Sequence, residues 1–276
     1  MTDLIVSASG AGPAQVRRAT GSTPWALVAD LARMQAVRMM RHPVFLLGLG
    51  WYALLVGIGE RPHTLYAEYS TVTGSVAYLV GPIAFFAANL VASSGRRSGA
   101  DEWTPSLPMP RLHRTSALLL ACLAPAAFAA VLDLAVLSAI RLYGGLDMHV
   151  QWQHIASVPV TVLGGAVLGV AVARLLPWTG VPLVVVVALV SFNLWVTTKD
   201  PYLGFYVDYA EWTTPGNMVP AMVPGDPSWH LVFLLALTGL AGCGALLRDA
   251  RRWWLPFTMG ALLGVVVLVS GTLQLA

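Results

Sequence analysis

Charge is scarce in this chain. Asp, Glu, Lys and Arg together make up 11% of its 276 residues, whereas 57% are hydrophobic and the mean hydropathy is +0.71. Soluble globular domains run at about 25% charged and about 45–50% apolar. The charges here are too few to cover a water-facing surface, so lipid must cover part of it. Lysine is rarer still: the only one is Lys199, preceded by Val196-Thr197-Thr198 and followed by Asp200. A P-loop needs G-x-x-x-x-G-K-[ST], in which glycine amides wrap the phosphates and the lysine reaches the terminal ones. Its absence excludes ATP hydrolysis by that chemistry, and any ATP-driven role then requires a separate subunit. Cysteine is limited to Cys122 and Cys243, both inside apolar segments and without C-x-x-C spacing. They read as small packing residues, and neither a disulfide nor a metal site is indicated. H-E-x-x-H and H-x-x-E-H are missing, which removes the helical zinc-protease classes. His149 and His154 are five apart, off the i, i+4 spacing that stacks two side chains on one helical face. No secretory signal is expected, because Arg17 and Arg18 lead into the polar run 19–24 and not into an apolar core. The sequence indicates no catalytic, cofactor or metal residues.

What is present in quantity is apolar sequence. Seven segments reach or approach the roughly 20 residues a helix needs to cross a bilayer. They are 43–59, 71–93, 115–140, 155–176, 181–198, 230–247 and 254–275. Pro82, Pro125, Pro159 and Pro182 fall within them. Bundle neighbours can satisfy the carbonyls that such prolines free. The net charge of +3 and pI near 9.1 reflect arginines scattered between the apolar runs, with no continuous basic stripe, so no nucleic-acid partner is expected. With the N-terminus inside, thirteen arginines fall on the cytoplasmic side, against Arg61, Arg141 and Lys199 outside. That asymmetry is the one the positive-inside rule requires. Seven spans then leave the C-terminus outside. The fold class expected is all-α: a polytopic bundle of about seven transmembrane helices, preceded by a cytoplasmic tail over 1–24.

Three stretches between the spans carry most of the remaining information. Over 25–41, Asp30, Arg33, Arg38 and Arg41 share one helical arc, and Trp25, Val28, Ala32 and Met39 lie opposite them. Leu27 and Met34 interrupt the charged side. A helix in the membrane interface fits this pattern, and His42-Pro43 marks a break before the first span. The loop 95–114 is charged and proline-interrupted, and it holds Trp103 and Leu107 among polar neighbours. It can be read as a solvated tether or as a docking loop anchored by Trp103, with Asp101 and Glu102 forming ion pairs. The outer loop 199–229 contains Tyr202, Phe205, Tyr206, Tyr209 and Trp212. Loops of this length are commonly functional, and its aromatic content favours a structured cap on the bundle.

The order of these parts is familiar. An N-terminal helix ending Arg41-His42-Pro43 is followed by two spans and the loop RRSGADEWTPSLPMPRLHRTSALLLA. Three more spans lead to a long outer loop ending DPSWHLVFLLAL. This arrangement resembles the permease subunits of ABC transporters of the ABC-2 type, in the form common in actinobacteria, and the likeness covers nearly the whole chain. It implies an elbow helix over 25–42, a transmembrane domain over 43–276 and a coupling helix within the loop 95–114. Asp101, Glu102, Trp103 and Leu107 are then the candidate ATPase contacts. The implied partners are two cytosolic ATPase subunits that hold ATP and Mg, and a second permease copy or paralogue. The implied activity is export across a bacterial cell membrane. A seventh span extends beyond the six-span core of many members.

Asp133 is the only acid deep within a span, where an unpaired charge costs several kcal/mol. It reads either as a carboxylate on a translocation path or as a structurally paired or protonated side chain. Asn89 and Asn193 also lie within spans and suit interhelical hydrogen bonds or a polar path. Two further functions stay open: a proton-linked secondary transporter using Asp133, and a non-transporting immunity or sensor protein. Gly165-x-x-x-Gly169 and Gly260-x-x-x-Gly264 would permit close helix packing.

Overall fold

The computed structural model describes residues 24–58, 79–99, 109–143, 152–199 and 226–273. Every regular element among them is a helix, and none is a strand. In chain order these are α1 (Pro24–Met40), α2 (Pro43–Ile58), α3 (Gly81–Ala92), α4 (Ser94–Arg97) and α5 (Arg111–Ala121). They continue with α6 (Leu123–Tyr143), α7 (Trp152–Leu175), α8 (Val181–Lys199), α9 (Pro227–Leu247) and α10 (Trp254–Leu273). Each of the seven apolar segments read from the sequence contains helix among its described residues. Four described stretches are long and apolar enough to cross a membrane: Arg111–Ala139, Ile155–Leu175, Ser228–Leu247 and Trp254–Leu273. Pro43–Leu54 and Gly81–Ala92 are shorter apolar helices. The apolar helices mark a membrane protein.

The third apolar segment is built as two helices, α5 and α6, that meet at Cys122. Pro125 offers no amide to the Ala121 carbonyl and crowds it, which breaks the ladder at this turn. The Cys122 amide closes a tighter bond to Leu119 O at 3.2 Å instead. Pro159 lies inside α7 without ending it.

The centre of the bundle is α7. It packs against α3, α6 and α9, and α9 in turn packs against α10. Protein covers 67% of the most apolar stretch of α7 but only 17% of that of α10. α7 is thus a core helix and α10 a peripheral one. The core gathers Val158, Val162, Ala166 and Val170 of α7 with Ala84, Ala87, Ala88 and Val91 of α3. Small residues dominate because the helices approach closely. A Cβ on Gly165 would lie 2.6 Å from the Gly81 carbonyl oxygen, and one on Gly169 would collide with the Phe85 carbonyl. Gly264, by contrast, has nothing within 4 Å of its missing Cβ. Of the two Gly-x-x-x-Gly patterns, only the first is a full helix–helix contact.

The amphipathic reading of the first helix is visible in α1. Val28, Ala32 and Met39 are buried, while Asp30, Arg33, Arg38 and Arg41 are exposed. Val28 and Ala32 pack with Ala117 of α5. Trp25 is itself exposed, although its ring meets that of His113 edge to face at 6.0 Å.

Candidate functional site

Two regions bring polar side chains together. The first lies inside the bundle. Asp133 of α6 is completely enclosed by protein and lies near Tyr52 of α2. Phe45 and Phe128 bind the same two helices one turn or more away, edge to face at 6.0 Å. Asn89 of α3 is also buried, and its Nδ2 donates to the Gly169 carbonyl of α7 at 3.0 Å. That bond crosses the glycine contact between α3 and α7, so Asn89 holds the pair together in the way interhelical amides do in membranes. Asn193 lies within the range of α8, but its side chain is outside the described residues.

The second region is the arginine-rich end of the bundle, where α3, α7 and α9 finish and α2 and α5 begin. Helix C-termini expose carbonyls that need donors. Here arginines supply them: Arg96 donates to Ala173 O, Arg248 Nη1 to Arg174 O at 2.9 Å, and Arg97 to Leu90 O. Cationic side chains at these ends also oppose the negative pole of the helix dipole. Ser93 and Ser94 add hydroxyl bonds to Asn89 O and Val91 O, each at 2.8 Å. The Asp249 carboxylate, just past α9, accepts from Thr115 Oγ1 of α5 at 2.5 Å and stands 4.0 Å from Arg174 Nε. Asp249 therefore ties three helix ends together. Sequence reading had not singled it out, although it is the only acid in the Arg-rich turn that joins α9 to α10.

Comparison with known proteins is silent. No family model, no curated protein and no solved structure matches the chain.

At the junction of α1 and α2, the His42 imidazole Nδ1 accepts from the Val44 amide at 3.3 Å and so caps the N-terminus of α2. Burial, followed by the guanidinium groups of Arg97 and Arg38, holds His42 below its ordinary value of 6.5. The ring therefore stays neutral and keeps the Nδ1 lone pair available as the cap. Asp101, Glu102, Trp103 and Leu107 lie outside the described residues, but the two ends of their loop do not. Arg96 is anchored on α7, and His113 on the other side is in contact with Trp25 of α1. Among the described residues, no group of His, Cys, Asp and Glu could hold a metal ion.

Proposed function

We propose that the chain is the membrane-spanning permease subunit of an ATP-driven exporter of the ABC-2 type in a bacterial cell membrane. ATP and Mg would be bound by two separate cytosolic ATPase subunits, and a second permease copy or paralogue would complete the pathway. The observation that carries this reading is the anchoring of the loop 95–114. Its first end is bonded to α7, the most enclosed apolar helix, and its second runs straight into α5, on which α1 packs. A force applied at the ends of the loop would be passed to α7 through Arg96 and to α1 through α5. In this reading 25–42 is the elbow helix, seven spans cross the membrane, and Asp101, Glu102, Trp103 and Leu107 face the ATPase.

The test is truncation of the aromatic anchor. Interface aromatics at the centre of a contact cost about 2 kcal/mol or more when cut to alanine, roughly a thirty-fold loss of affinity. Trp103→Ala should therefore reduce copurification of the ATPase and the hydrolysis that the permease stimulates. Asp101→Ala should change either by little, since exposed ion pairs contribute about 0–1 kcal/mol. A Trp103→Ala protein that keeps its ATPase and full turnover would refute coupling through this loop.

One observation favours a second reading. The enclosure of Asp133 beside Tyr52 is the setting expected of a proton-linked carboxylate in a secondary transporter.

A further inference from the structure

Beside the break between α1 and α2, the last turn of α1, the start of α2 and the ends of α3 and α4 enclose a groove of about 430 Å³. Its wall is of two kinds. Arg38, Arg41 and Arg97 supply three guanidinium groups, and Val37, Pro43 and Leu90 supply apolar surface. Among the described residues, no carboxylate lines it. His42, also in the wall, registers the same imbalance. After burial, it is Arg97 and Arg38 that hold its imidazole below 6.5, and no acid among the described residues opposes them.

The donors of these arginines are largely uncommitted. A guanidinium carries five N–H groups in a planar fork. Arg38 reaches Gln35 Oε1 at 3.5 Å and Ser94 Oγ at 3.4 Å, both beyond the roughly 2.7–3.2 Å of a good bond. Arg97 gives one donor to the Leu90 carbonyl, and the Arg41 guanidinium bonds to nothing among the described residues. All three side chains are exposed. The Arg41 amide continues the last turn of α1 by donating to Val37 O at 3.0 Å. Arg38 and Arg41, three apart, therefore share one side of that turn.

The apolar part of the wall runs on beyond the groove. Pro43 opens α2, and Leu46, Leu47 and Leu54 follow it at helical spacing, all exposed. A cationic rim above an apolar strip suits a molecule with an anionic head and a hydrocarbon tail, whereas a free anion would use the rim alone. The groove also lies where an apolar helix begins, the depth at which headgroups sit beside a membrane protein.

We propose that this groove binds an anionic phospholipid, its phosphate held by Arg38, Arg41 and Arg97 and an acyl chain lying along the exposed face of α2. Guanidinium forks match the geometry of phosphate oxygens, and basic pockets between membrane helices accept anionic headgroups. The bound headgroup bridges α1 and α4 across the break at His42. The site does not depend on ATPase coupling.

The test uses the purified full-length protein in a neutral detergent, with binding read by native mass spectrometry and by the shift in thermal unfolding. Phosphatidylglycerol should be retained and should raise the unfolding temperature. Phosphatidylcholine, which lacks the net charge, and glycerol phosphate, which lacks the chains, should each bind about tenfold or more weakly. Arg41→Gln/Arg97→Gln should lower affinity for phosphatidylglycerol about tenfold or more, as loss of charge-assisted bonds implies. Arg251→Gln/Arg252→Gln removes equal charge from exposed positions outside the groove and should change affinity by less than about twofold. Val37→Asn/Leu47→Asn alters two exposed apolar positions. It should weaken the lipid about threefold or more through lost apolar contact and leave glycerol phosphate unchanged. Should the loss of the Arg97 bond to Leu90 impair folding, Arg41→Gln alone breaks no bond within the protein and should still weaken the lipid about threefold or more. The proposal is overturned if phosphatidylglycerol is not retained, or if phosphatidylcholine or glycerol phosphate binds as tightly. It is equally overturned if the control pair loses as much as the groove pair, or if Arg41→Gln or Val37→Asn/Leu47→Asn binds the lipid as the parent does.

Discussion

At His42 the chain stops one helix and starts another, and the imidazole caps the second. The Val44 amide donates to Nδ1, which requires a neutral ring, while Arg38 and Arg97 nearby disfavour the protonated one. The unfolded chain takes up a proton here near pH 6.5, the folded chain only at lower pH. Folding therefore opposes protonation, and the contribution is fully present above pH 6.5 and lost as pH falls towards the lower folded value. The unfolding temperature in detergent should drop between about pH 7.5 and pH 5.5 in the parent, and the drop should shrink in His42→Asn, which caps without titrating. An unchanged pH profile in that variant would remove His42 as the source. Asp133 offers a different single-residue test, because Asp133→Asn keeps shape and burial and removes only the titrating group. Under the permease reading, transport by Asp133→Asn should stay within a few-fold of the parent. Complete loss with normal folding would favour the proton-linked carrier. Asp133 could be singled out from sequence because a lone acid in an apolar run is conspicuous. Asp249 could not, because its importance comes from Thr115 and Arg174, which reach it only after α5, α7 and α9 converge.

Elements show the same division between pattern and context. The two Gly-x-x-x-Gly patterns are alike in sequence, yet one touches the backbone of α3 and Gly264 of the other faces open space. Sequence spacing records that a close approach is allowed, and only the partner determines that it happens. Gly165→Ala and Gly169→Ala should each push α3 away from α7 and cost about 1–3 kcal/mol, the usual range for overpacking. Gly264→Ala should be neutral or slightly stabilising, because alanine is the better helix former by about 1 kcal/mol. Equal effects at Gly169 and Gly264, measured by reversible unfolding in detergent, would show that the α3–α7 contact is not as tight as described. Prolines make the point again. Pro125 coincides with the break at Cys122, and Pro159 is absorbed inside α7. The residue is the same, yet one interrupts its helix and the other does not.

For the whole molecule, hydropathy located the helices well because lipid imposes the same requirement on every span. At the described boundaries some predicted and observed segments agree closely, as at 181–198 against Val181–Lys199. The outward faces are apolar too: Leu262, Val265 and Leu268 of α10 and Leu183, Val184 and Val187 of α8 are exposed. Such residues are stable only against acyl chains or another protein. Six of the arginines assigned to one side on charge alone, Arg38, Arg96, Arg111, Arg114, Arg174 and Arg248, line one cavity. What hydropathy could not supply was the order of packing, in which α7 is central and α10 peripheral, because apolar content does not distinguish a helix facing lipid from one facing protein. The seven-span arrangement predicts that cysteines placed near residue 2 and at Ala276 label from opposite faces of the membrane. Labelling of both from one face would require an even number of spans.

The contact between α3 and α7 also has a consequence in time. Asn89 and the carbonyl that receives its amide are 80 residues apart. A ribosome adding about 5–20 residues per second needs several seconds to make the intervening chain. Throughout that interval α3 has left the translation machinery with a buried-type amide and no partner for it. Until Gly169 emerges, the half-made protein must either keep α3 at the insertion channel or shield that amide with other molecules.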